Sequence, residues 1–165
     1  ILSRLAEAKL VNLDSIAPLT DDAPFIITPQ AASDYAEALW HIYTAVARVR
    51  GDWMGAMTPI VVWPHGFDLS TLYFPNGVPD EHTQPHLNLG FSPTTAGFPR
   101  PYLYAYVWPL PDGATLTPLP PLARWTTENW TGVVIDYDRL RTTDHPITLL
   151  EDTLRTVFAR LSQLL

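Results

Sequence analysis

The spacing of hydrophobic residues changes along the chain, and this change restricts the fold more than any other feature of the sequence. Near each end the spacing is helical. The first stripe comprises Tyr35, Leu39, Ile42, Val46 and Val49, and the second comprises Leu150, Leu154, Val157, Leu161 and Leu164. Thr28-Pro29 is typical of a helix start and Gly51 of a helix end, and the second helix is predicted from Pro146 to the C-terminus.

Between the two helices the hydrophobic period becomes two, which predicts β-strands. The predicted strands cover residues 58–63, 69–74, 86–91, 102–108 and 131–137. Connections rich in Gly, Pro, Asn and Asp separate them, as expected for hairpin turns and loops. The order of elements predicts an α+β fold: an antiparallel meander of four to five strands, flanked by an N-terminal and a C-terminal helix.

Two of these strands predict what each face of the sheet carries. In the strand PYLYAYVWP, one face takes Tyr102, Tyr104, Tyr106 and Trp108, and the other takes Leu103, Ala105 and Val107. In HLNLGF, His86, Asn88 and Gly90 oppose Leu87, Leu89 and Phe91. We expect the aliphatic faces to meet the helices. The second face is then aromatic and polar.

A row of four aromatic side chains is too much apolar area to leave in water without a reason. The loop 110–124 with Trp125 and Trp130 is one candidate cover, and a second copy or a partner domain is another. The third interpretation is a ligand pocket, since Tyr and Trp combine an apolar ring with a polar group. Its predicted binding residues are Trp63, His86, Asn88, Tyr104, Tyr106 and Trp108.

The stretch WPHGFD contains the strongest candidate for catalysis, His65 with Asp68. A carboxylate close to a histidine orients the imidazole and makes it a better general base. The same residues are also typical of a turn between two strands. In that interpretation Asp68 caps the turn, and Gly66 supplies a residue with positive φ.

His82 and His86 are weak candidates for metal ligands. Pro85 argues against a helix between them. In an extended segment, two residues four apart lie about 13 Å apart, which is too far for one ion without a bend. A site formed by His65, His82 or His86 with a carboxylate stays open, but the pattern predicts no metal and identifies no cofactor.

The composition bears on partners and location. Ten Lys and Arg against 17 Asp and Glu give a net charge of −7 without a basic stripe, so nucleic acid is not expected as a partner. No apolar run is long enough to span a membrane. The chain has no cysteine, and its first residues do not resemble a signal peptide, so a cytoplasmic location is expected.

Residues 11–29 contain Pro18, Asp21-Asp22, Pro24 and Pro29, a pattern typical of an extended linker that has little to pack by itself. We therefore expect residues 1–29 to be a linker or the remnant of an upstream domain, and residues 30–165 to form a single α+β domain.

Four stretches form a recognisable series in the order TPIVVWPHGFDLSTLYFP, EHTQPHLNLGFSP, PYLYAYVWPLP and WTTENWTG. Together they resemble a bacterial family known as domain of unknown function 5996. The recognisable positions are Trp63, Pro64, His65, Phe67, Asp68, Asn88, Gly90, Phe91, Pro93, Tyr104 and Trp130. The resemblance implies that the chain is the C-terminal half of a longer protein, and it implies no activity.

Three functional hypotheses follow. The first is a binding domain that uses the aromatic and polar face for a small organic ligand, a partner domain or a second copy. The second is an enzyme that uses His65 and Asp68, with or without a metal at His82 or His86. The third is a purely structural half of a two-domain protein.

Overall fold

The computed structural model describes residues 27–64 and 66–165. The chain divides into two compact units, Ile1–Asp34 and Tyr35–Leu165, and the whole sheet belongs to the second unit. The predicted linker, residues 1–29, lies almost entirely outside the described residues and stays a prediction.

Along the chain, seven strands follow one helix and precede two others. The helices are α1 (Pro29–Arg50), α2 (Tyr137–Leu140) and α3 (Pro146–Leu161), followed by a 3₁₀ turn (Ser162–Leu164). The strands are β1 (Ala56–Met57), β2 (Val61–Trp63), β3 (Asp68–Phe74), β4 (His86–Ser92), β5 (Tyr102–Trp108), β6 (Ala123–Thr126) and β7 (Gly132–Asp136). The predicted α+β fold and both flanking helices are confirmed.

All strand pairs are antiparallel, and the strand order is β1-β3-β4-β5-β7-β6, with β2 also paired to β3. The five predicted strands correspond to β2, β3, β4, β5 and β7, which are consecutive neighbours and form the expected meander. The structure adds β1 and β6. β6 precedes β7 in the chain but lies outside it, at the edge of the sheet.

A β-bulge divides the strand that pairs with the outer side of β3. Between the pairs Met57↔Tyr73 and Val61↔Ser70, three residues on one strand oppose two on the other. The Thr58 side chain fills the gap, because its hydroxyl accepts the backbone N–H of Leu72 at 2.9 Å. Pro59 follows and has no N–H to donate, so this position suits an edge strand.

The hydrophobic core lies on one face of the sheet, as the alternation predicts. Ile42, Val46 and Val49 of α1 are at most 1% exposed. They belong to the same core cluster as four residues of α3 and the inward residues of the strands: Leu150, Leu154, Val157, Leu161, Leu69, Leu87, Leu89, Phe91, Leu103, Ala105, Val107, Val133 and Ile135. No helix among the described residues has the length and apolar character needed to cross a bilayer.

The β2–β3 connection is a tight hairpin in which Trp63 pairs with Asp68. The Phe67 N–H donates to the Trp63 carbonyl at 2.8 Å and closes the turn. Phe67, not Gly66, has the left-handed conformation, with φ of 54°, so the prediction for Gly66 is wrong. The Tyr35 hydroxyl donates to the Phe67 carbonyl, and the two rings meet edge to face at 6.3 Å. These contacts hold a conformation that costs a non-glycine residue about 1–3 kcal/mol.

Candidate functional site

The strand register places the predicted aromatic and polar residues on one face. His86, Asn88, Gly90 and Ser92 of β4 pair with Trp108, Tyr106, Tyr104 and Tyr102 of β5, in that order. Residues paired across two strands lie side by side on the same face. Asp68 of β3, which hydrogen bonds to Tyr104, lies on this face as well.

A pocket of about 720 Å³ opens on this face. Its described lining residues are Gly66, Asp68, Ser92, Thr94, Thr95, Tyr102, Tyr104, Tyr106, Val107, Trp108, Leu110, Trp130 and Thr131. The aromatic side chains of β5 become more exposed along the strand. Tyr102 is buried, Tyr104 and Tyr106 are half-buried, and Trp108 is 42% exposed. The loops thus cover one end of the aromatic row and leave the other end open.

Two strand glycines let aromatic rings approach the sheet backbone closely. A Cβ atom on Gly90 would clash with the Tyr104 ring and would lie 2.5 Å from the Leu69 carbonyl oxygen. A Cβ atom on Gly132 would clash with the Trp130 ring and would lie 2.7 Å from the Ala105 carbonyl oxygen. Each added Cβ atom would thus be closer than van der Waals contact to both a ring and a backbone oxygen. Each ring therefore occupies the space of a missing side chain.

Loop residues provide the walls of the pocket. The Trp130 ring meets the Tyr106 ring at 5.9 Å with an angle of 65° between their planes. Phe98 stacks on Tyr102 at 4.6 Å, and the Tyr102 hydroxyl is 3.0 Å from the Thr95 hydroxyl. The aromatic rings therefore support one another at the covered end of the pocket.

Asp68 supplies a carboxylate to this pocket. Its Oδ2 accepts a hydrogen bond from the Tyr104 hydroxyl at 3.2 Å. Burial raises the pKa of the Tyr104 hydroxyl well above its usual value, and the nearby Asp68 carboxylate raises it further. Tyr104 is therefore a neutral hydrogen-bond donor at physiological pH, and it fixes one oxygen of Asp68.

The protonated state of Tyr104 predicts how stability changes in alkali. An unfolded tyrosine loses its proton near pH 10, whereas folded Tyr104 keeps it, so unfolding releases a proton above that pH. The free energy of unfolding then falls as the pH rises, and Tyr104→Phe should remove up to about 1.4 kcal/mol per pH unit of that slope. Urea unfolding between pH 9 and 11.5 measures this slope.

The control for this experiment is Tyr43→Phe, because Tyr43 is an exposed tyrosine of α1 outside the pocket. We expect this variant to follow the parent slope. Tyr104→Phe also removes a hydrogen bond, so the test compares slopes and not absolute stabilities. Parallel curves for the parent and Tyr104→Phe would contradict the prediction.

Two further predicted binding residues, His86 and Asn88, line a second, smaller pocket of about 330 Å³. Tyr106 and Trp108 line both pockets, whereas His86 and Asn88 line the smaller one alone. The Asn88 amide donates to the Tyr106 hydroxyl at 2.9 Å, and among the described residues its buried oxygen has no partner. Five of the six predicted binding residues, all except Trp63, are therefore divided between two pockets.

His86 and His82 have different environments, although both line the smaller pocket. The buried His86 ring stacks on Trp108 at 5.5 Å, and its Nδ1 lies 2.9 Å from the Gln84 carbonyl oxygen. The His82 side chain is 85% exposed and lies 4.0 Å from the Glu81 carboxylate. The described part of the chain contains no group of three or more His, Asp or Glu side chains that could hold a metal ion.

Trp63 and His65 are the remaining predicted residues. The Trp63 indole donates to the Ser70 hydroxyl at 2.8 Å, and Trp63 is not among the lining residues of either pocket. His65 lies outside the described residues, so its pairing with Asp68 stays a prediction. The predicted binding set omitted Tyr102, Thr95 and Trp130, which line the larger pocket. Tyr102 carried a signal from its place in the aromatic row, and Trp130 carried one as a candidate cover of that row, whereas Thr95 carried none.

Comparisons with known proteins identify a family and nothing closer. No curated protein and no solved structure matches the chain significantly. A family model described as a family of unknown function, DUF5996, matches residues 8–165. This match covers nearly the whole chain, so the expectation that the chain is only the C-terminal half of the family's sequence is not borne out. The chain therefore belongs to the family of unknown function DUF5996.

Proposed function

We propose that this domain binds a small organic molecule in the larger pocket of the aromatic face. The observation that carries the proposal is a space of about 720 Å³ against the rings of Tyr104, Tyr106, Trp108 and Trp130. Ligand sites in proteins commonly have volumes of about 300–1,000 Å³ and combine aromatic walls with a few convergent polar groups.

The polar groups of the pocket support a binding role. The Tyr106 hydroxyl accepts a hydrogen bond from Asn88, which leaves its own hydrogen to donate. The Asp68 carboxylate has four lone-pair positions and receives one described hydrogen bond, from Tyr104. Tyr106 and Asp68 would thus offer a bound molecule one donor and one charged acceptor, in addition to the Ser and Thr hydroxyl groups of the lining. The lack of cysteine agrees with a reducing compartment, and we include a cytoplasmic location in the proposal.

Ligand-observed NMR with a fragment library tests this proposal. We expect several ring-containing fragments to bind at millimolar concentration and to compete for one site. Trp130→Leu should weaken the binding of these fragments at least about tenfold, because stacking of a planar ring on an aromatic side chain is worth roughly 1–3 kcal/mol. The matched control is Trp40→Leu, since Trp40 is an exposed tryptophan that stacks on Tyr43 of α1 and lies outside the pocket.

Two results would contradict the proposal. One is a library without a binder, and the other is a set of binders that Trp130→Leu leaves unaffected. A second copy or a partner domain on the aromatic face stays the alternative occupant. Solution scattering of the purified chain tests this alternative, because it shows whether the chain is a monomer or a dimer. A dimer that buries this face would also exclude the fragments.

A further inference from the structure

We infer that the larger pocket selects organic cations, of the alkylated ammonium class, with Asp68 as the counter-charge and the tyrosine and tryptophan rings as the walls. The inference deepens the proposed function and rests on it.

The charge of the pocket favours a cation. Among its described lining residues, Asp68 is the one residue with an acidic or basic side chain. The others are aromatic, hydroxyl-bearing, aliphatic or glycine. Its hydrogen-bond partner Tyr104 is neutral, because burial and the Asp68 carboxylate both raise the pKa of that hydroxyl. The described lining therefore carries one negative charge, which favours a cation over a neutral molecule and a neutral molecule over an anion.

The aromatic rings of the pocket also suit a cation, because they stand in two orientations. Tyr104 and Tyr106 are nearly parallel, at 16° with centroids 6.3 Å apart, and Trp130 stands at 65° to Tyr106. In this edge-to-face contact the two ring planes form a corner, so a cation placed beside both would contact more than one aromatic ring. Aromatic faces carry the negative part of the ring quadrupole, so they attract cations and repel anions.

The lining of the pocket favours an alkylated ammonium group over a metal ion or a bare ammonium ion. A metal ion needs several oxygen or nitrogen ligands, and the described residues contain no cluster that supplies them. A methylated ammonium group instead presents an apolar surface that spreads the positive charge, and this surface packs well against aromatic walls. One carboxylate with several rings is the combination that such a group requires.

A cation already packs on an aromatic ring beside this pocket. The Arg124 guanidinium lies over the Phe98 ring, 6.0 Å from its centroid, and Phe98 in turn stacks on Tyr102. Arg124 itself is not among the lining residues, so its charge does not replace that of a ligand. The contact shows that one ring next to the lining, Phe98, has a positive group at cation–π distance.

A matched series of three benzyl alcohols tests the inference, with trimethylammonium, tert-butyl or sulfonate as the para substituent. The three molecules have nearly the same size and differ in charge. Titrations followed by NMR at pH 8, where histidine side chains are mostly neutral, give their affinities. We expect the ammonium compound to bind at least about tenfold more tightly than the tert-butyl compound, and the sulfonate to bind most weakly.

Asp68→Asn then removes the charge but keeps the shape of the side chain and an acceptor for Tyr104. We expect it to weaken the ammonium compound at least about tenfold and to change the tert-butyl compound less than about twofold. Asp144→Asn is the matched control, because Asp144 is exposed and lies outside the pocket, so it should follow the parent.

The possible results are distinguishable. Equal affinity of the parent for the ammonium and tert-butyl compounds would overturn the inference and leave the proposed function standing. Equal weakening of both compounds by Asp68→Asn would also overturn it, because Asp68 would then support the pocket without acting as a counter-charge. If none of the three binds and the fragment library yields no binder that depends on Trp130, the proposed function fails together with the inference.

Discussion

Gly90→Ala is expected to lower the free energy of unfolding by about 3 kcal/mol, the upper end of the range for overpacked sites. The new methyl group would lie 2.5 Å from the Leu69 carbonyl oxygen of the neighbouring strand and would clash with the Tyr104 ring. A side chain can rotate away, but a strand in the middle of a sheet cannot move without loss of its hydrogen bonds. Urea unfolding of the variant and the parent measures the loss.

Gly51→Ala is the matched control, because the nearest atom to a Cβ there is the Arg48 carbonyl oxygen at 3.2 Å. We expect that variant to lie within about 1 kcal/mol of the parent. The double variant Gly90→Ala/Tyr104→Ala separates the two clashes at Gly90. The backbone clash persists without the ring, so part of the cost of Gly90→Ala should remain. A stability of Gly90→Ala within about 1 kcal/mol of the parent would contradict this account of the pocket floor.

Trp53→Ala is expected to cost about 3–5 kcal/mol of unfolding free energy, the usual range for a buried tryptophan. Trp53 is 5% exposed and stacks on Phe158 of α3 at 4.3 Å with an interplanar angle of 11°. Its ring also meets Tyr73 of β3 edge to face at 5.8 Å. These contacts join the segment after α1 to α3 and to the sheet, so their loss leaves a cavity where three elements meet.

Trp40→Ala makes the same substitution at an exposed position and is the control. Trp40 is 66% exposed, and stacking on Tyr43 is its one described ring contact. We expect it to cost less than about 1 kcal/mol, so the two variants should have clearly different midpoints in urea. Similar losses for both variants would show that Trp53 does not hold α3 against the sheet.

The sequence predicted the elements whose side chains repeat with a clear period. Both helical stripes and both faces of β5 lie where the periods of 3.6 and two place them. β6 was missed because it has four residues, follows a segment that contains Pro118, Pro120 and Pro121, and pairs only with β7. A strand this short carries too few residues to show an alternation.

The pocket was predicted less completely than the sheet, for a physical reason. A period assigns residues to a face, so Tyr104, Tyr106 and Trp108 could be grouped from their spacing alone. Walls made by loops, such as those with Trp130 and Thr95, depend on how irregular segments fold back over the sheet. One signal was present but unused: a single glycine inside a strand, as at Gly90, indicates close approach by another group.

The short and interrupted outer strands of the sheet bear on aggregation. An exposed, long and regular edge strand is a template for pairing with another chain. Among the described strands, one edge consists of β1 and β2, of two and three residues, separated by the bulge at Thr58-Pro59. The other edge is β6, of four residues. Neither edge offers a continuous ladder of free N–H and C=O groups, so the described sheet is protected against edge-to-edge pairing with other chains, the route to fibrils.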